Sequence, residues 1–142
     1  MTIAAILTNK GRDVVSVTAN QSVLEALRLL AERRVGAVPV MDGAAVVGIF
    51  SERDVIHTLA AHGAAALDRT VGDVMTAPAI TVGPAEPVIG ALSLMTRRRV
   101  RHLPVIEAGQ LIGVVSIGDL VKFRIDRIEA DAAAMRDYIQ SA

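Results

Sequence analysis

The feature that most constrains this chain is that it repeats itself. A shift of 65 positions aligns two long segments without a gap: Gly48 falls on Gly113, Ser51 on Ser116, Asp54 on Asp119, and Pro39-Val40 on Pro104-Val105. Arg33-Arg34-Val35 falls on Arg98-Arg99-Val100, and Val23, Ala26, Leu27 and Leu29 fall on Val88, Ala91, Leu92 and Leu94. One register held over this span means two copies of a single supersecondary unit, which take up nearly all of the 142 residues. A unit this small buries too little surface alone, so the copies are expected to pack on each other about a pseudo-twofold axis. By chain order, residues 1–69 form the first repeat with its lead-in and linker. Residues 70–142 form the second, with a C-terminal helix.

Both copies read as β-α-β-β-α, an α+β class. Short β-branched segments at Val14–Val17 and Ile80–Val82 predict an opening strand in each. Val23, Ala26, Leu27 and Leu30 follow helical spacing behind the N-cap candidate Ser22, and Pro87 suits the start of the second copy's helix. Strands are expected at Gly36–Val40 and Val46–Phe50, around the turn signal Asp42-Gly43. A helix starting near Ser51 or Ser116 closes each unit. Residues 61–69 read as a helix end and linker, and residues 71–76 as the lead-in to the second copy.

The copies agree best at Gly-h-h-Ser-x-x-Asp, where h is apolar: Gly48 to Asp54 and Gly113 to Asp119. Each motif sits where a buried strand turns into a helix. Free backbone N–H groups at a helix start favour anions such as phosphate, and a carboxylate one turn on can accept both hydroxyls of a ribose. The same spacing also makes a capping box, which only stabilises the helix. The glycine leaves room for close approach. Hairpin register places Arg101 and His102 near Ser116, with uncharged Gly36 and Ala37 near Ser51. Strand alternation allows at most one of Arg101 and His102 to face a given cleft. Arg99 and Arg101 are candidates for phosphate, whereas Arg97 and Arg98 are read as solvated. The Asp119 cleft is therefore expected to be the stronger site.

No catalytic or metal set accompanies these corners. Neither serine lies in a Gly-x-Ser-x-Gly elbow, and His57 and His62 are five apart, a poor metal-ligand spacing. Cysteine is absent and the formal charge is zero, so disulfides, thiolate metal sites and a global attraction to nucleic acid or membrane are not expected. Residues 1–10 lack the basic start of a signal peptide, no apolar run reaches membrane-spanning length, and the composition suits the cytoplasm. Near the C-terminus, Val121, Ile125, Ile128, Ala132, Met135 and Ile139 form a heptad seam. Such a helix either docks on a partner unit or second chain, or lies on its own core.

The doubled unit, its Val-Pro-Val and Leu-Pro-Val strands and the Gly-h-h-Ser-x-x-Asp corners resemble tandem CBS domains, a Bateman module, over about residues 14–121. The stretch Arg99 to Val105 is similar to stand-alone bacterial CBS-pair proteins ascribed to signal transduction. The resemblance implies a non-enzymatic sensor that binds an adenosine ligand (AMP, ADP, ATP, NAD or S-adenosylmethionine) between the units and signals to a protein partner. It implies that Asp54 and Asp119 hold ribose, that Ser51 and Ser116 lie by ribose or phosphate, and that Ile49 and Val114 pack on adenine. Gln21, Ala26 and Val35 would face the cleft of Asp119, and Glu86, Ala91 and Val100 that of Asp54. Arg101 and His102 would meet phosphate. It also implies a homodimer. The competing reading is an interaction and dimerisation module with non-functional nucleotide pockets.

Overall fold

The computed structural model describes residues 1–11 and 13–141. The chain opens with helix α1 (Ile3–Lys10), then runs β1 (Val17–Thr18), α2 (Val23–Arg33), β2 (Ala37–Asp42), β3 (Ala45–Ser51) and α3 (Glu52–His62). A 3-10 turn at Gly63–Asp68 and the short α4 (Val71–Val74) lead to α5 (Val88–Arg98), β4 (His102–Glu107), β5 (Gln110–Ser116) and the long α6 (Ile117–Ser141). The expected α+β architecture of two repeats is present, and its register is reproduced pair by pair. Val40 faces Gly48 in the first hairpin, as Val105 faces Gly113 in the second.

The opening strands are shorter than the sequence suggests. The first is reduced to Val17–Thr18, which pairs in parallel with Val40 and Met41. The second is a single bridge from Val82 to Val105, held by Val82 N–H to Pro104 O and Ile106 N–H to Val82 O. Gly83 and Pro84 follow Val82, and neither supports a continued strand. The hairpin turns also differ. Gly43 takes φ +60° in the first, whereas both Ala108 and Gly109 take positive φ in the second.

Each repeat has its own apolar core, but the lead-ins exchange. Ile3, Ile6 and Leu7 of α1 are buried with Val88, Ala91, Met95, Leu103 and Leu120 of the second repeat. Val71 of α4 is buried with Val23, Val38, Val40 and Phe50 of the first. Chain order puts residues 1–10 with the first repeat, yet in space they complete the second, because their apolar face needs cover that the second core provides. Strands β3 and β5 touch across the pseudo-twofold axis.

The exchange explains the motif glycine. A Cβ on Gly48 would lie 2.7 Å from Met75 Sδ and 2.8 Å from the Thr76 carbonyl oxygen, and one on Gly113 would lie 2.6 Å from Leu7 Cδ2. The close approach that the glycine permits is thus made by the crossing lead-in at both corners. Helix α6 buries only Leu120 among its residues, while Val121, Ile125, Ile128, Met135 and Ile139 are exposed. Of the two placements expected for the seam, lying on its own core is not the one adopted.

Candidate functional site

A cavity of about 640 Å³ opens between the repeats, within the usual range for small-molecule sites. One wall is the first repeat's strand-to-helix corner: Ile49 and Ser51 at the end of β3, then Glu52, Arg53, Ile56 and His57 on α3. The facing wall comes from the second repeat: Arg98 at the end of α5, Arg99, Val100, Arg101, and His102 at the start of β4. Thr76, Pro78, Ala79 and Ile80 of the linker form the rim, and Gly36 lies at the axis. A smaller cavity of about 220 Å³ shares Arg53, Arg99, Val100 and Arg101 with it.

The pseudo-twofold axis places these groups together. It sets the start of β4 against the start of β2, so that a Cβ on Gly36 would lie 3.4 Å from His102 Cε1. Arg101 precedes the strand proper, so alternation does not govern it and both Arg101 and His102 line the same cavity. This corrects the expectation that at most one of them faces a cleft. Arg98, read as solvated, also lines the cavity because it sits on the last turn of α5. Arg99 caps that helix in the left-handed region at φ 55°, a conformation unusual for a side-chain-bearing residue.

Four arginines, Arg53, Arg98, Arg99 and Arg101, thus line one cavity. Among the described residues the only ion pairs are Lys10–Asp119 and Arg127–Asp131, so none of the four is held by a carboxylate. Arg53 donates from Nη1 to the Arg99 carbonyl oxygen at 3.0 Å, tying the two walls together. Burial, followed by the charge of Lys10, lowers the pKa of His102 from its ordinary value, with Asp119 and Glu52 opposing.

The capping reading is realised at both corners. Ser51 Oγ accepts from Asp54 N–H at 3.4 Å, and Asp54 Oδ2 accepts from Ser51 N–H at 2.9 Å. Asp119 N–H donates to Ser116 Oγ and Ser116 N–H to Asp119 Oδ2, at 3.1 and 2.8 Å. Beyond the caps the corners differ. Asp54 Oδ1 accepts from the Thr76 hydroxyl at 2.9 Å. That oxygen keeps one acceptor position, and Thr76 itself faces the cavity. Asp119 Oδ2 instead accepts from the Lys10 ammonium at 2.6 Å, and Val114 O accepts from the same ammonium at 2.8 Å. Burial raises the Asp119 carboxyl, but the Lys10 hydrogen bond and the Ser116 backbone N–H outweigh it and hold its pKa below the ordinary value.

Of the expected site residues, the structure brings Ile49, Ser51, Val100, Arg101 and His102 together around one cavity. His102 does pair with Ser116 in register. However, Asp54, Ser116, Asp119, Val114, Gln21, Ala26 and Val35 line neither cavity, and Asp54 is tied to the first only through the Thr76 hydroxyl that donates to it. Ala26 and Ala91 are fully buried in their own cores, so neither presents a surface to a cleft. Gln21 turns its Oε1 back to the Thr18 N–H. Val35 is partly exposed, and the Glu86 backbone carbonyl receives Ile3 N–H. Ala37 pairs with Ser51 in register as expected, and the opposite repeat adds Arg98, Arg99 and Arg101 to the same cavity. Thr76, Glu52, His57 and the linker residues were missed. Repeat comparison hides them, since Thr76 corresponds to Gly11.

The CBS domain family matches residues 6–61 and 71–126. The chain is 33% identical over 148 residues to the CBS domain-containing protein CBSX3, mitochondrial, of Arabidopsis thaliana, covering 98% of this chain and 72% of that one. It matches the crystal structure of the CBS-domain containing protein ATU1752 from Agrobacterium tumefaciens with a TM-score of 0.85 and 40% identity, over 87% of this chain and 99% of that one. It also matches the CBS domain protein PAE2072 from Pyrobaculum aerophilum, complexed with AMP, with a TM-score of 0.75 and 29% identity, over 84% and 89% of the two chains. Two matched repeats, joined as the solved relatives join theirs, make this chain a member of the CBS-domain family, as a tandem CBS pair.

Proposed function

We propose that this CBS pair is a non-catalytic regulatory module that binds an adenosine nucleotide in the cleft of Ser51 and Asp54. The observation that carries this reading is the cavity between the repeats, where an apolar strand end and a hydroxyl-bearing corner face four arginines that form no ion pair among the described residues. Ile49 and Ile80 provide apolar surface for a base. Asp54 and Thr76 provide acceptor and donor groups for ribose hydroxyls. Arg98, Arg99, Arg101 and Arg53 surround the phosphate, where each charge-assisted hydrogen bond is worth roughly 1.5–3 kcal/mol. The AMP complex of PAE2072 supports the ligand class. The ranking of clefts is thereby reversed from the sequence expectation, since the Asp119 corner carries a lysine of its own.

A nucleotide bridging the two walls would change how the repeats pack, and a protein partner would read that change. We further propose a homodimer through the exposed seam of α6. The capping boxes favour the second reading, an interaction module with non-functional pockets. Titration of AMP, ADP, ATP, NAD and S-adenosylmethionine into the purified chain decides between them. The sensor predicts saturable binding of at least one nucleotide, weakened about tenfold or more by Asp54→Ala and by Arg101→Ala. Absence of heat with every ligand leaves only the interaction module.

A further inference from the structure

We infer that α6 pairs with α6 of a second copy in parallel and in register, so that both CBS pairs hang from one end of a short coiled coil. The inference rests on the proposed homodimer through this seam and gives it an orientation.

Helix α6 is held to its own repeat by Leu120, which is buried, and by the partly buried Phe123, which packs on the second core. The heptad spacing puts Ile125, Ala132 and Ile139 at a, and Val121, Ile128 and Met135 at d. Leu120 and Phe123 then fall at c and f, the outer positions of a coil. At 100° per residue the centre of the seam lies about 130° around the helix from those two side chains. The surface offered to a second helix is therefore not the surface that holds α6 to its own core. Two copies can join along the seam with their CBS pairs on opposite outer sides, about a twofold axis that runs along the coil.

The charges beside the seam choose the direction. Lys122, Glu129 and Arg136 occupy e, and Arg124, Asp131 and Tyr138 occupy g. In a parallel pair each g residue faces the e residue of the partner's next heptad. Arg124 then meets the partner's Glu129, and Asp131 meets the partner's Arg136, each contact occurring twice by symmetry. No like charges meet. An antiparallel pair on the same seam faces e with e and g with g. It would set Glu129 against the partner's Glu129, Asp131 against the partner's Asp131, and Lys122 against the partner's Arg136. Repulsion of this type is what excludes a wrong pairing. Among the described residues, Arg124, Glu129 and Arg136 form no ion pair. Asp131 Oδ1 lies 3.8 Å from Arg127 Nε on the same exposed helix, which leaves Oδ2 for the partner's Arg136.

The chain contains no cysteine, so a single introduced thiol reports the geometry of the full-length protein directly. Ile139→Cys is expected to link to itself under mild oxidation, because a parallel pair brings equal positions within disulfide reach. Ile125→Cys, nearer the repeats, is expected to do the same. In the antiparallel pair two copies of position 139 would stand about 27 Å apart, and Val121→Cys would link to Ile139→Cys in a mixture instead. By sedimentation equilibrium, Glu129→Arg is expected to raise the dimer dissociation constant about fivefold or more. Arg124→Glu added to it is expected to recover the wild-type value within about twofold, because the facing charges are again opposite. Mixed links without self-links overturn the orientation and leave the homodimer standing. A dimer that forms neither link has its interface on another face, which overturns the inference and the seam together, as does a monomer at high micromolar concentration. Failure of the double variant to recover overturns the charge pairing, and the inference with it.

Discussion

Gly48 and Gly113 occupy the same motif position but face different neighbours. A Cβ on Gly48 meets a backbone carbonyl oxygen, which cannot move aside, together with Met75. A Cβ on Gly113 meets only the end of the Leu7 side chain, which can change rotamer. Gly48→Ala is expected to cost about 1–3 kcal/mol through overpacking, and Gly113→Ala distinctly less. Urea unfolding of the two variants measures the difference, and equal losses would show that the crossing lead-in does not set the glycine. Much of the residue-scale chemistry was legible. The doubled Ser and Asp marked the corners, and Arg101 and His102 were singled out. What the sequence hid was which corner shares a cavity with the arginines, because that depends on a symmetry axis and not on chain neighbours. Arg98 is exposed on the last turn of α5, and its place at the cavity comes from where that helix ends.

At the scale of elements, α6 carries the largest apolar surface left open. Its 25 residues extend well past the last buried position, Leu120. A helix end with no tertiary cover is marginal on its own, so an apolar stripe along it calls for a partner. The seam of Val121, Ile125, Ile128, Met135 and Ile139 keeps heptad spacing, which suits a second copy of the same helix. A chain truncated after Arg127 is expected to lose dimerisation while keeping both repeats folded. Light scattering at high micromolar concentration checks this, and an unchanged mass would place the interface elsewhere. The two hairpins and the helices α2, α3, α5 and α6 were readable from period and turn chemistry, whereas α1 and α4 were not. The opening strands were not, because Gly83 and Pro84 stop the second after a single bridge.

At the scale of the whole molecule, the exchange of lead-ins builds each repeat's core partly from the other repeat's stretch of chain. Residues 1–10 complete the second core and residue 71 the first. The repeat itself was legible because one register ran through the chain. The exchange was not, because an apolar helix at either end fits both cores equally well by pattern alone. Ile6→Ala is expected to cost about 2–5 kcal/mol, as a fully packed core position does. Its first effect should fall on hydrogen exchange in β4 and β5, before β2 and β3. Faster exchange confined to β2 and β3 would mean that α1 supports its own repeat instead.

The proposed nucleotide site is tested most directly by a crystal structure of the chain grown with AMP. The expected result is AMP between the repeats, with its base against Ile49, its ribose at Asp54 and Thr76, and its phosphate within hydrogen-bonding distance of at least one of Arg53, Arg98, Arg99 and Arg101. AMP bound at the Ser116–Asp119 corner, with the Ser51–Asp54 cavity empty, would contradict it.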